Sequence, residues 1–164
     1  RTDKKQGVIL LNTAIIYESK HHGNTKKLVD AIAQAHDVTL IDALTDSARD
    51  LSGYDLIGFA SGIYCAKSGK NVLKYAENHL PADKPVFLLY TCGSPRGGYT
   101  AAIGEIVRKK GSRVIGEYGC PGFDTFGPFK LVGGIAKGHP NAAETAGAAA
   151  FFGALPVQKR EPRE

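Results

Sequence analysis

This sequence predicts an α/β domain built on a doubly wound, five-stranded parallel sheet, and three observations carry the prediction. Short apolar runs alternate with helix-periodic segments along the whole chain. Several of the runs are bounded by Gly, Pro, Ser, Thr or Asn, the residues of turns and caps. The length, 164 residues, suits one domain able to bury a core without disulfides or metal. Strands separated by helices imply right-handed crossovers and a parallel sheet covered on both faces.

The first strand is expected within Val8 to Tyr17. Leu28, Val29, Ile32 and Ala33 then share one face of a helix. Val38 to Ile41 reads as a short buried strand, and Asp42 to Leu51 as loop with one or two helical turns. Asp55 to Ala60 is the third strand, followed by a helix carrying Val72, Leu73, Ala76 and Leu80 that Pro81 ends. Pro85 to Thr91 is the fourth strand, with Pro at its entrance, where the missing N–H does little harm. Ala102, Ile103, Ile106 and Val107 give the next helix, stopped by Gly111, and Arg113 to Tyr118 is the fifth strand. Asn141-Ala-Ala-Glu144 has the form of a capping box opening an Ala-rich helix through Phe152. One domain over 7–155 is expected, with polar tails at 1–6 and 156–164.

Composition narrows the function. Hydrophobic residues make up 43% and charged residues 23%, ordinary for a soluble globular protein. No apolar run approaches the length of a membrane span, and no charged–apolar–small leader is read at the start. Cys65, Cys92 and Cys120 cannot all pair, so a reducing cytoplasm is expected, with the thiols as small buried hydrophobes at one edge of the sheet. Net charge is +5 with a pI near 9.1. Arg1, Lys4 and Lys5 against Asp3, and Lys159, Arg160 and Arg163 against Glu161 and Glu164, carry three of these charges and leave +2 on the body. No dense basic stripe with interleaved aromatics suggests nucleic acid.

Chemistry concentrates in four loops. The first strand runs into Ser19-Lys-His-His-Gly-Asn-Thr25, and a helix starts at once. Unpaired N–H groups and the positive end of the macrodipole make such a junction an anion site. Ser19 and Thr25 add hydroxyls, and Gly23 lets the backbone approach a ligand. The same residues also serve ordinary turns and caps. His21 and His22 either donate to a phosphate or stay solvated. The third strand is followed by Ser61-Gly-Ile-Tyr-Cys-Ala-Lys-Ser-Gly69 and the fourth by Thr91-Cys-Gly-Ser-Pro-Arg-Gly-Gly-Tyr99. The fifth leads into a glycine-rich segment from Gly119 to Asn141, too long for a plain connector.

The closing Gly23-Asn24-Thr25, opened by Ser19, resembles the phosphate loop of the flavodoxins, although two histidines stand where hydroxyl residues are usual and the loop is one residue longer. The segment after the fifth strand resembles the block G-x-D-T-x-G-P-x-K-L-x-G-G-x-x-K-G-x-P-N of a branch of short flavodoxin-like proteins, so the resemblance spans Ile15 to Phe152. It implies the strand order 2-1-3-4-5, of which flavodoxin is itself a known example, with FMN at the switch point between strands 1 and 3. It implies phosphate binding by Ser19, His21, His22, Gly23, Asn24 and Thr25. The ring would be framed by Ser61, Gly62, Ile63 and Tyr64, by Thr91, Cys92, Gly93, Gly98 and Tyr99, and by Phe123. Phe126, Phe129 and Leu131 are expected to anchor the long segment.

The function so implied is electron carriage through bound FMN, with a redox partner protein or small electron acceptor, in a monomer or homodimer. An NAD(P)H-dependent flavin or quinone reductase is the alternative. Electron-carrying flavodoxins are typically acidic, and acidic surroundings lower the flavin potential. Lys67 and Arg96 in the ring loops therefore predict a less negative potential. Three rivals are disfavoured. Cys92 to Arg96 is C-x3-R where phosphatases need C-x5-R, a phospho-acceptor Asp is missing after strand 3, and the first loop lacks G-x-G-x-x-G, although Asp42 resembles its ribose-binding acid.

Overall fold

A computed structural model describes residues 11–157. Residues 8–10 of the expected first strand and nearly all of both tails lie outside these residues. The elements run β1 (Thr13–Glu18), α1 (Asn24–Ala35), β2 (Thr39–Asp42), β3 (Leu56–Tyr64), β4 (Lys67–Ser68), α2 (Lys70–His79), β5 (Pro85–Cys92), α3 (Ala101–Lys109), β6 (Arg113–Pro121) and α4 (Ala142–Gly153). The sheet order is β2-β1-β3-β5-β6, all parallel. It equals the expected 2-1-3-4-5 once the two-residue β4, antiparallel to the end of β3, is set aside.

Strand side chains alternate between two cores, as a pleated sheet covered on both faces requires. Ala14, Ile16, Ile57, Phe59, Val86 and Leu88 face α2 and α3, where Val72, Tyr75, Ala76, Ile103 and Val107 meet them. Ile15, Leu56, Ala60, Phe87 and Leu89 face α1 and α4, against Leu28, Val29, Ile32 and Ala148. Each fully buried Ile, Leu or Phe contributes about 1.5–3 kcal/mol. Gly58 admits the Phe87 ring, since a Cβ there would collide with it. The capping box forms as expected: Asn141 Oδ1 accepts from Glu144 N at 2.9 Å and Glu144 Oε2 from Asn141 N at 2.7 Å.

Two expectations are corrected. The strands after which the site loops were expected run on: β3 reaches Tyr64 and β6 reaches Pro121. Ser61 pairs with both Glu18 and Tyr90, and Tyr90 with Gly119, so neighbouring strands hold these residues in the ladder. Cys65 and Ala66, both at positive φ, then turn the chain back into β4. Between Asp42 and Leu51 no helix forms. Asp42 ends the strand in a single turn, its Oδ1 accepting from Leu44 N and its carbonyl from Asp46 N, so the side chain competes with helical pairing.

Candidate functional site

The carboxyl ends of β1, β3, β5 and β6 converge on a cavity of about 320 Å³. Among the residues lining it are Ser19, His21, Asn24 and Thr25 from the first loop, and Gly62, Ile63 and Tyr64 from the β3–β4 hairpin. Thr91, Cys92, Gly93 and Tyr99 come from the loop after β5, and Phe123 from the segment after β6. His22, Gly23, Ser61 and Gly98 do not line the cavity. His22 packs on Phe123 with ring centroids 4.3 Å apart, and its Nε2 lies 3.0 Å from Thr125 Oγ1. Gly23 caps α1 at φ 65, and Gly98 turns the chain ahead of α3 at φ 85. Ser61 is buried inside the hairpin, donating to the Gly62 carbonyl and accepting from Gly69 N at 2.6 Å.

The start of α1 presents unpaired backbone N–H groups. His22 and Gly23 are both left-handed, at φ 56 and 65, which turns successive N–H groups to one side as in a backbone nest. Among the described residues, the N–H groups of His22, Gly23 and Thr25 have no partner. Ser19 Oγ accepts from Lys26 N at 3.2 Å, which leaves the Ser19 hydroxyl proton free to donate into the cavity. The buried Thr25 and Thr91 hydroxyls lie 3.0 Å apart, so one donates to the other and a single proton remains to point onward.

Asn24 joins this loop to the segment after β6. Its Nδ2 donates to the Phe123 carbonyl at 2.8 Å, while its Oδ1 is buried without a partner. Gly122 is glycine because a Cβ there would sit 2.8 Å from Asn24 Nδ2. Across the cavity, a Cβ on Gly93 would lie 2.5 Å from Asp124 Oδ2. Tyr64 folds over Gly62, close to the edge of His21 (centroids 5.9 Å apart), and the Lys20 ammonium stands 5.8 Å from the Tyr64 ring centre. Burial pushes the Tyr64 hydroxyl above its ordinary range, so it is a neutral group at physiological pH. Tyr99 donates to the Ser94 carbonyl at 2.5 Å, which fixes its ring at the rim.

The cysteines gather at this end of the sheet, but not all are buried. Cys65 is exposed at the hairpin turn, whereas Cys92 and Cys120 are buried. Burial pushes the Cys92 thiol up, and burial with Glu144 and Cys92 pushes Cys120 up to about 12. Burial of Cys92 works against thiolate formation, in line with the spacing that disfavours the phosphatase reading.

Sequence reasoning missed several lining residues: Cys65, Ala66, Ser94, Gly122, Asp124, Phe126 and Phe129. Arg96, anticipated only as a charge in the ring loops, lines the cavity as well. The lone acid of the glycine-rich block was the available signal for Asp124, whose Oδ1 accepts from Phe126 N at 2.8 Å. The expected anchoring role of Phe126 and Leu131 is corrected: they are 63% and 89% exposed, and only Phe129 is half-buried. The 3-10 turn Gly127–Val132 and the positive-φ Gly133 and Gly134 carry that stretch outward, while Asp124 and Ile135 bond to each other beneath it.

Glu18 also went unassigned. It is fully buried at the end of β1, with Oε2 accepting from Asn71 N (3.1 Å) and Val72 N (3.2 Å) and Oε1 from Asn71 Nδ2 and Lys20 Nζ, both at 2.9 Å. Burial pushes its carboxyl up, but the bonds from Lys20, Asn71 and Val72 outweigh burial and hold it below the usual range. An acid closing an otherwise apolar strand was the signal.

Comparison with known proteins agrees with this geometry. A family model described as a flavodoxin domain matches residues 14–110. The uncharacterized protein MJ0298 of Methanocaldococcus jannaschii is 35% identical over 133 residues, covering 80% of this chain and 89% of that protein. The fold is similar to that of two-electron reduced Megasphaera elsdenii flavodoxin, with TM-score 0.56 and 19% identity over 84% of this chain and 98% of the other. It is also similar to an NADH:FMN oxidoreductase in its apo form, with TM-score 0.54 and 15% identity over 90% and 91% of the two chains. By the family match and this relative, the chain belongs to the flavodoxin domain family.

Proposed function

We propose that this protein binds FMN and carries electrons between a redox partner protein and its flavin. The observation that carries the reading is the set of free N–H groups at the start of α1, beside a cavity that Thr25 lines together with Tyr64, Tyr99 and Phe123. The residues present fit the group. Asn24 Oδ1 is a buried acceptor that a sugar-alcohol hydroxyl would satisfy, and Asn24 itself lines the cavity.

FMN supplies the electron chemistry when bound, and the chain supplies binding and orientation. The nest of His22, Gly23 and Thr25 N–H groups and the Ser19 hydroxyl would hold the phosphate, with the α1 dipole adding attraction. Tyr64 and Phe123 present flat apolar faces to a ring and keep water off them. Gly93 and the paired Thr25 and Thr91 hydroxyls offer polar groups at the inner wall.

The test is an absorbance spectrum of gently purified protein, with mass identification of any released chromophore. Visible flavin bands with FMN released support the reading. A colourless protein that takes up no added FMN overturns it. Bleaching by added NAD(P)H under anaerobic conditions would mark a reductase, the activity named for one fold relative.

A further inference from the structure

Around the mouth of the cavity the chain leaves an apolar surface uncovered and surrounds it with positive charge. Phe126, Leu131 and Val132 are 63%, 89% and 73% exposed, three of only five large hydrophobic residues so exposed among those described. Phe126 itself lines the cavity, so the patch is continuous with the site. A single exposed Leu is unremarkable, but two exposed apolar residues on a six-residue 3-10 turn and a third at its N-cap, beside a cavity, mark an interaction surface.

The charge of the four site loops indicates what covers it. Lys20, Lys67, Arg96, Lys130 and Lys137 stand in them against one acid, Asp124. Asp124 is half-buried and bonded to Phe126 N. Lys20 is neutralised by Glu18. Lys67, Arg96, Lys130 and Lys137 are exposed and have no carboxylate within 4.0 Å among the described residues. The body of the chain carries only +2, so its positive charge is concentrated in the four loops around the site, Arg96 lining the cavity itself. A second copy of this chain would bring like charges together across the patch.

We infer that the face formed by Phe126, Leu131 and Val132 with Lys67, Arg96, Lys130 and Lys137 docks an acidic redox protein that exchanges electrons at this cavity. The inference rests on the flavin reading above. Apolar contact at the centre would set the lifetime of the complex, and the basic rim would steer the partner's approach. The polarity is opposite to that of an acidic carrier serving basic partners.

The test is association with a purified acidic [2Fe–2S] ferredoxin, followed by calorimetry on FMN-loaded and FMN-free protein at low and at physiological salt. A basic c-type cytochrome is the comparator. Ferredoxin affinity is expected to fall roughly tenfold with added salt, and by a similar factor in Lys130→Glu and in Lys137→Glu. Leu131→Ser is expected to weaken binding several-fold with the salt dependence unchanged. Lys109→Glu, at the far end of α3, makes the same change in net charge away from the mouth and should leave affinity as it was. Undetectable ferredoxin binding, equal or tighter cytochrome binding, or indifference to the Lys130 and Lys137 reversals overturns the proposal. So does a Leu131-dependent dimer in sedimentation, or binding to phosphatidylserine vesicles with no ferredoxin binding. Failure of the flavin reading shows separately, as protein without visible absorbance. Failure of docking shows as FMN-loaded protein with no salt-dependent complex.

Discussion

Replacing Glu18 with Gln isolates one buried charge that organises two walls of the cavity. Gly69 supplies no side-chain cap to α2, and the first-turn N–H groups of Asn71 and Val72 are satisfied instead by Glu18 from the end of β1. Gly69 itself must be small, because a Cβ there would strike the Glu18 carboxylate. A Gln can keep its carbonyl on the two N–H groups, but each bond drops from charge-assisted to neutral, a loss of about 1 kcal/mol apiece. The Lys20 bond is lost as well, and with it the tether that holds Lys20 near Tyr64. Lys20 is partly exposed, so that bond adds only about 0.5 kcal/mol. The Gln Nε2 in place of Oε1 cannot accept from Asn71 Nδ2, a further loss of about 1 kcal/mol. The total is about 3–4 kcal/mol, or a Tm lowered by about 6–16 °C in a domain of this size.

The effect must depend on pH with a definite sign. The carboxyl of Glu18 is held below its ordinary value in the fold. Its contribution is therefore complete above the unfolded-state pKa of about 4.3 and is lost as pH falls through the lowered folded value. Urea unfolding of wild type and Glu18→Gln, followed by circular dichroism from neutral pH downward, should show the gap closing in acid. Equal stability at neutral pH would refute the capping argument. A gap that persists undiminished in acid would show that shape, not charge, is what Glu18 supplies.

Other expectations follow from the same geometry. A thiol reagent should label Cys65 rapidly in the native protein, and Cys92 and Cys120 only on unfolding, since both are buried with raised pKa values; fast labelling of three thiols in native buffer would contradict this. Gly93→Ala places a methyl 2.5 Å from Asp124 Oδ2 and 2.8 Å from its Cβ, and should cost about 1–3 kcal/mol and weaken FMN uptake at least tenfold in a fluorescence titration. Retained affinity would place the ring elsewhere. The potential of the FMN-loaded protein should lie above that of acidic flavodoxins, and Arg96→Gln should lower it by tens of millivolts, less at high salt. A spectroelectrochemical titration as negative as theirs would end that argument.

What the sequence made legible was what depends on local pattern. The alternation of apolar runs and helical periodicity specified the succession of strands and helices along the chain, and Asn141-Ala-Ala-Glu144 announced its capping box, because each signal sits within a few residues. Gly23-Asn24-Thr25 pointed to the right helix terminus for the same reason. What was illegible depends on partners far along the chain. Ser61 and Gly62 looked like loop because the residues that keep them in the sheet are Glu18, Tyr90 and Thr91, far along the chain. Phe126 and Leu131 looked like anchors because apolar residues usually bury themselves, and only the backbone path through Gly127, Gly133 and Gly134 turns them out. Glu18 carried no assignment, because only the arrival of α2 above it makes it a cap.

The most consequential of these long-range effects is that the anion cradle and the outer wall form one unit. His22 packs on Phe123 and reaches Thr125, and Asn24 holds the Phe123 carbonyl. Phe123 N in turn bonds the His139 carbonyl, and His139 Nδ1 lies 2.7 Å from Glu144 of the α4 capping box. A continuous set of contacts thus runs from the start of α1 through the glycine-rich segment to the start of α4. Of the two histidines that depart from the usual hydroxyl pattern of the loop, His22 takes part in this set, supplying a ring that packs on the wall, whereas His21 sits at the edge of Tyr64. The departure in the loop and the long segment after β6 are therefore two halves of one adaptation, in which the loop that would hold the phosphate also positions the aromatic wall and, through it, the base of the exposed turn.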